Sequence, residues 1–293
     1  MKRLISQKFI VRFGFIICSL VLFLNIINIG ESEAIPSEFK LVETAIGIEV
    51  YSNLTGDFVQ TIDLTENAGI VFLQGEKVGE GVPAAYEGIN PQFQRQSLTE
   101  FWQGLVEDYG NLAFSVCNGQ FFKGGDPTEL AFPVQTEGKI VSTGYAGIEE
   151  FYGEKVVFGV KNKTAEIVPF PESSNFRNTD FPYQEAIVGI FKAGAIEPNK
   201  WYSKDPLIER PRTFLGVADF NSDNQNETIL ILTSVGKTQL GAAELLYEFG
   251  ANQVMMLDGG GSTQLNIKGK EELSSTDVSS RTIPQAIGIF QGF

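Results

Sequence analysis

Short apolar runs broken by turn residues dominate the chain after residue 38. Phe39–Tyr51, Asp57–Leu64 and Ile70–Val78 are rich in β-branched and aromatic residues, and Ser52-Asn53, Gly56 and Asn67–Gly69 separate them, so each predicts a strand. The pattern then changes. Ser97-Leu98-Thr99-Glu100 has the spacing of a capping box and predicts a helix running to about Tyr109, stopped by Gly110. Leu112–Cys117 reads as a buried strand. Phe151–Phe170 reads as a hairpin about Lys161-Asn162-Lys163, and Thr213–Thr233 as another about Asn221–Asn226. Lys237–Phe249 is helical with apolar residues on more than half its circumference, which requires deep packing, and Gly250 ends it. Val254–Leu257 and the closing Ile283–Phe290 read as buried strands. Strands outnumber helices without regular βαβ alternation. The expectation is an α+β fold, its mixed or antiparallel sheets covered by a few helices, in a single large domain over 35–293.

The first residues follow a different logic. Lys2, Arg3, Lys8 and Arg12 precede an apolar stretch from Phe13 to Gly30, and Ser32-Glu33-Ala34 supplies small residues for cleavage. This is the order of a secretory signal over 1–34, or of an uncleaved anchor through residues 13–30. Either places the domain outside the cytoplasm, periplasmic or extracellular.

Composition narrows the chemistry. The chain has no histidine, which removes Ser-His-Asp and Cys-His nucleophile systems and every His metal ligand. Proton transfer falls to carboxylates, Tyr, Lys or solvent. Beyond the leader, Cys117 is the only cysteine, so no internal disulfide forms and stability rests on a core to which 24 Phe residues contribute. A formal net charge of −14 disfavours nucleic acid and anionic membranes as partners.

Four segments offer chemistry. Leu257-Asp258-Gly259-Gly260-Gly261-Ser262-Thr263 follows a buried strand; its glycines allow close approach and can turn N–H groups toward an anion, while Ser262 and Thr263 add hydroxyls. A plain turn is the competing reading, and the segment is neither a Walker loop nor a nucleophile elbow. Cys117-Asn118-Gly119-Gln120-Phe121-Phe122 reads as a type I′ turn or as an Asn118 amide at a site rim. Arg212-Thr213 and Arg281-Thr282 each put a guanidinium at a strand entrance, suited to phosphate oxygens or to a surface carboxylate. Asp219–Asp223 starts like a calcium loop but lacks its Gly and closing Glu, so it reads as a polar turn. Asp258 with its neighbouring hydroxyls could hold a divalent ion, but no ligand spacing argues for a metal and no cofactor is expected.

Taken in order, Asn118-Gly-x-Phe-Phe, Arg212-Thr-x-x-Gly216, the Gly-Ala-Ala-Glu-Leu-Leu-Tyr-Glu-Phe-Gly-Ala helix, Asp258–Ser262 and the closing Arg281 resemble the phosphodiester glycosidase family from about Leu112 to the C-terminus. Gln120 stands where a second Gly is usual, and 35–110 is left as an N-terminal extension. The resemblance implies an exported hydrolase that cleaves a sugar-1-phosphodiester in a glycan or envelope polysaccharide. It implies that Arg212, Arg281 and the Gly259–Gly261 N–H groups hold phosphate, with Asn118, Thr213, Ser262 and Thr263 around the substrate. Asp258 would be the catalytic carboxylate, and Glu244 or Asp126 the second. A non-catalytic binding module for phosphorylated or acidic glycans, and an enzyme cutting a different bond, are the alternatives.

Overall fold

The computed structural model describes residues 35–147, 149–171, 181–191, 206–274 and 281–293; the leader-like segment 1–34 lies outside them. From the N-terminus the elements are β1 (Lys40–Ala45), β2 (Ile48–Ser52), β3 (Phe58–Asp63), β4 (Gly69–Gln74), β5 (Lys77–Glu80), β6 (Pro91–Phe93) and helix α1 (Leu98–Tyr109). Next come β7 (Ala113–Asn118), β8 (Thr128–Glu129), β9 (Val134–Thr136), β10 (Lys139–Ser142), β11 (Lys155–Lys161), β12 (Thr164–Pro169) and β13 (Glu185–Ile190). The last third holds β14 (Arg210–Ala218), β15 (Thr228–Lys237), α2 (Gln239–Glu248), β16 (Gln253–Met256), β17 (Leu265–Ile267), β18 (Lys270–Leu273) and β19 (Gln285–Phe290).

An eleven-stranded sheet runs β1-β2-β3-β15-β14-β16-β13-β11-β12, with β9 also on β13 and β10 on β9. A five-stranded sheet runs β18-β17-β7-β19-β4, and β5-β6-β8 form a small third. Every pairing among the described residues is antiparallel. The α+β expectation is therefore corrected to a β-rich antiparallel fold with two α-helices among the described residues. Apolar runs that read as single strands are folded back into hairpins: 39–51 is β1 and β2, reversed at Gly47. The segment between Gln120 and Phe151, unassigned above, supplies β8, β9 and β10.

Where local signals are strong, the elements form as expected. Ser97 and Glu100 make the reciprocal capping box, with Glu100 Oε2 accepting the Ser97 N–H at 2.7 Å. Leu98, Phe101 and Leu105 recur at helical spacing and bury α1 against Val71, Val116 and Ala286 of the five-stranded sheet. Thr238 caps α2 by accepting the Gly241 N–H at 2.9 Å, and Ala242, Ala243, Leu245 and Leu246 are buried. The Asn162-Lys163 turn has both residues at positive φ, as a two-residue hairpin demands. The main core lies between the two large sheets, where Phe72 of β4 meets Phe158 of β11 edge to face at 6.4 Å. Each fully buried Phe of this kind contributes about 1.5–3 kcal/mol.

Candidate active site

The C-terminal end of β7, the start of β14 and the segment after β16 converge where the five-stranded and eleven-stranded sheets meet. Asn118 ends β7 and is 1% exposed. It is not a hairpin turn, since β7 pairs with β17 and β19. Its amide is used at both ends: Nδ2 donates to the Asp258 carbonyl at 2.6 Å, and Oδ1 accepts from Thr213 Oγ1 at 2.7 Å and from the Gln264 N–H at 3.2 Å. Backbone bonds reinforce the junction: Leu257 N–H to Thr213 O at 2.9 Å and Asp258 N–H to Gly119 O at 3.0 Å. A carboxylate at position 118 would lack the donor that holds the Asp258 carbonyl, so the junction requires an amide.

Asp258 itself is partly exposed. The glycines after it serve different needs. Gly259 is packed so closely on β14 that a Cβ would sit 2.8 Å from Pro211 O, and Gly260 takes φ +60°. The chain then makes a 3₁₀ turn over Gly260–Ser262, in which the Ser262 and Thr263 N–H groups bond back to Gly259 and Gly260. Ser262 and Thr263 are fully buried. Ser262 Oγ meets Arg281 Nη1 at 3.4 Å, and Gln264 Nε2 donates to the Arg281 carbonyl at 3.0 Å. The sequence pattern did not single out Gln264, which fastens the Arg281 segment to the Asp258 loop.

The two arginines differ. Arg281 is partly exposed beside Ser262. Arg212 is 4% exposed, and its guanidinium donates to Ile208 O at 3.0 Å and Lys237 O at 3.2 Å. Gln120 is buried and turned inward, donating to Val188 O at 2.8 Å while its own N–H bonds Gln285 Oε1 at 2.6 Å. Glu244 is exposed on α2 and, among the described residues, makes no hydrogen bond or ion pair with the junction. Asp126 is exposed and accepts the Arg95 N–H at 3.0 Å; the Arg95 side chain bonds Thr282 O, tying the 125–127 loop to the Arg281 segment.

Sequence reading missed Tyr145, a half-buried tyrosine. Burial pushes its hydroxyl up, and the charges of Glu150, Glu129 and, least, Asp258 add to this, so it remains a protonated donor at neutral pH. Lys123 Nζ lies 5.6 Å from the Tyr145 ring and 3.7 Å from the buried Glu129 carboxylate. These residues carry no motif; only the return of the chain through β8 brings them in. Burial pushes Cys117 up to about 12, leaving it an inert thiol under the site. Away from the junction, Asp219, Asp223 and Glu227 bring carboxylate oxygens within 4.8 Å of one another in the β14–β15 turn. Asp219 there accepts the Asn224 N–H, as a polar turn would.

No curated protein matches the sequence. Among solved structures, the catalytic domain of zebrafish N-acetylglucosamine-1-phosphodiester alpha-N-acetylglucosaminidase, auto-inhibited by its pro-peptide, superposes with a TM-score of 0.55 at 13% identity, over 87% of this chain and 82% of that one. A hypothetical protein from Synechocystis gives 0.51 at 14% identity, over 88% of this chain and 64% of its own. Both likenesses concern the fold. The phosphodiester glycosidase family matches residues 111–290, the stretch that contains Asn118, Thr213, Asp258 and Arg281, and the chain belongs to that family.

Proposed function

We propose that the protein is an exported hydrolase of glycosyl phosphodiesters, acting on a carbohydrate substrate. The observation that carries this reading is the Asn118 amide bridging Thr213 and the Asp258 carbonyl: it fixes the backbone of a partly exposed carboxylate on the loop whose Ser262 meets the partly exposed Arg281. Such an arrangement suits a reaction with opposite charges at its two ends. The bond between the anomeric carbon and the phosphodiester oxygen breaks, and its electron pair leaves with the phosphate. Water supplies hydroxide to the carbon, and its proton goes to solvent, giving a free sugar and a phosphate monoester.

In this scheme Arg281 meets the departing phosphate and Asp258 stabilises the oxocarbenium-like carbon or activates the water. Arg212, held by carbonyls behind Gly259, supports the loop and adds positive potential. Tyr145 supplies a neutral hydroxyl donor, and no histidine is needed because a phosphate monoester leaves readily. Mass spectrometry on a panel of N-acetylglucosamine-1-phosphodiesters tests the reading. Free sugar plus phosphomonoester from the native protein, lost in Asp258→Asn with the fold intact, is the expected result. Sugar phosphate plus alcohol would mean a phosphodiesterase, and binding without turnover a glycan-binding module.

A further inference from the structure

The chain that leads from Arg281 into β19 is held along its backbone. Each carbonyl from Arg281 to Pro284 accepts a hydrogen bond: from Gln264 Nε2 at 3.0 Å, from the Arg95 guanidinium, from the Gln96 N–H at 2.9 Å and from the Gly75 N–H at 2.8 Å. Gly75, Arg95 and Gln96 all precede residue 111, where the family's stretch begins. Gln96 and Gly75 use their backbone and Gln264 an amide. At Thr282, the residue next to Arg281, the donor is a cation.

Arg95 grips the Thr282 carbonyl with both Nε, at 2.8 Å, and Nη2, at 2.5 Å. Its Nη1 donates to Gly125 O at 3.3 Å, and its guanidinium carbon lies 5.2 Å from the centre of the Phe122 ring. Beside it, Gln96 and Ile283 exchange N–H···O bonds in an isolated antiparallel bridge. One planar fork therefore joins the Asn118 segment, the 125–127 loop and the Arg281 segment. Thr282 is partly exposed, so water could satisfy its carbonyl. A cation there answers a need for fixed geometry rather than for a missing partner. A long arginine side chain keeps many rotamers, so its aim depends first on the backbone that carries it.

We propose that Arg95 is a positioning residue for Arg281, holding the Thr282 carbonyl so that the Arg281 guanidinium is presented to the substrate's phosphate. The role rests on the glycosyl phosphodiester reading for its substrate but not for its geometry. Initial rates on an N-acetylglucosamine-1-phosphodiester, for the native protein, Arg95→Ala, Arg281→Ala and the double variant, form a double-mutant cycle. Arg95→Ala is expected to lower kcat roughly thirtyfold while KM changes less than about threefold. The double variant should be no slower than Arg281→Ala, because a residue that works through Arg281 then has nothing to position. Arg95→Lys keeps the charge but not the fork, so it should recover little of the rate, and it takes the place of Arg95→Ala in the cycle if that variant does not fold. Additive losses, full recovery by Lys, or an Arg95→Ala rate within about twofold of native overturn the proposal. Amide hydrogen exchange separates it from the reading it uses. The Ile283 N–H should exchange about tenfold faster in Arg95→Ala, with the Leu257 N–H unchanged. If the native protein releases no sugar, the glycosidase reading falls and exchange alone decides; equal protection of Ile283 in both proteins overturns the positioning role.

Discussion

The Asp258 junction and the open cleft of ≈ 500 Å³ between α1 and β4, lined by Val71, Phe101, Gly104, Glu107 and Glu137, are built on opposite plans. At the junction nearly every polar group is spent on another: Asn118 at both ends of its amide, Gln264 on the Arg281 carbonyl, Arg212 on two carbonyls. Asp258 and Arg281 are the partly exposed charged members of the junction. The cleft instead leaves the Glu107 and Glu137 carboxylates at the surface and places a helix-weakening glycine in its wall. A pre-organised site places its binding energy in bonds made before the ligand arrives. A loosely lined cleft makes them on arrival and depends more on charge, hence on salt.

Breaking the junction should have the largest effect. Asp258→Asn is expected to lower phosphodiester turnover by about a thousandfold with little change in Tm, checked by initial rates alongside thermal denaturation. Asn118→Ala should reduce both, because it strands the Thr213 hydroxyl, the Gln264 N–H and the Asp258 carbonyl; about 3 kcal/mol of stability is expected to go, read from urea unfolding.

Beneath the cleft, Glu185 offers a comparison by pH. Burial pushes its carboxyl up to about 7, against the lowering effect of its bonds from Glu137, Thr136 and Phe72. The folded protein therefore holds this proton more tightly than the unfolded chain. Its contribution to stability is fully present below the unfolded value near 4.5 and is lost as pH rises through 7. Tm should fall across that window by an amount worth up to about 3 kcal/mol, and Glu185→Gln should flatten the slope; an unchanged profile would contradict it. The smallest effect is expected at Glu244→Gln, where an exposed side chain should leave stability within about 0.5 kcal/mol and turnover near that of the native protein.

What was legible in the sequence follows the reach of each signal. The capping box at Ser97, the turn at Asn162-Lys163 and the Gly250 stop of α2, which takes φ +90°, are decided within a few residues, and all three stand in the structure. The family was readable because its motifs survive as short strings. Sheet partners were not, because they are chosen across the chain: β13 lies between β11 and β16, and Gln120 bonds a residue 165 positions away. For the same reason the β-rich architecture read as α+β, and Asn118-Gly119 resembled a turn although it ends a central strand. The inward pull on Arg212 was equally hidden, since Ile208 and Lys237 offer it only backbone carbonyls, which no sequence pattern marks.

The Asn118 bridge also bears on when the site comes into being. Its partners lie 95 to 146 residues further along the chain, and β7 is flanked by β19, the last strand. Contacts of such long range close late in folding and make it slow. During synthesis from the N-terminus, β7 must wait for at least 95 further residues before Asn118 has a first partner, and for 146 before it has them all. A chain truncated before Gln285 would lack a strand beside β7, so the Asn118 bridge is secured only once β19 has docked, and its appearance in a refolding experiment would mark that docking.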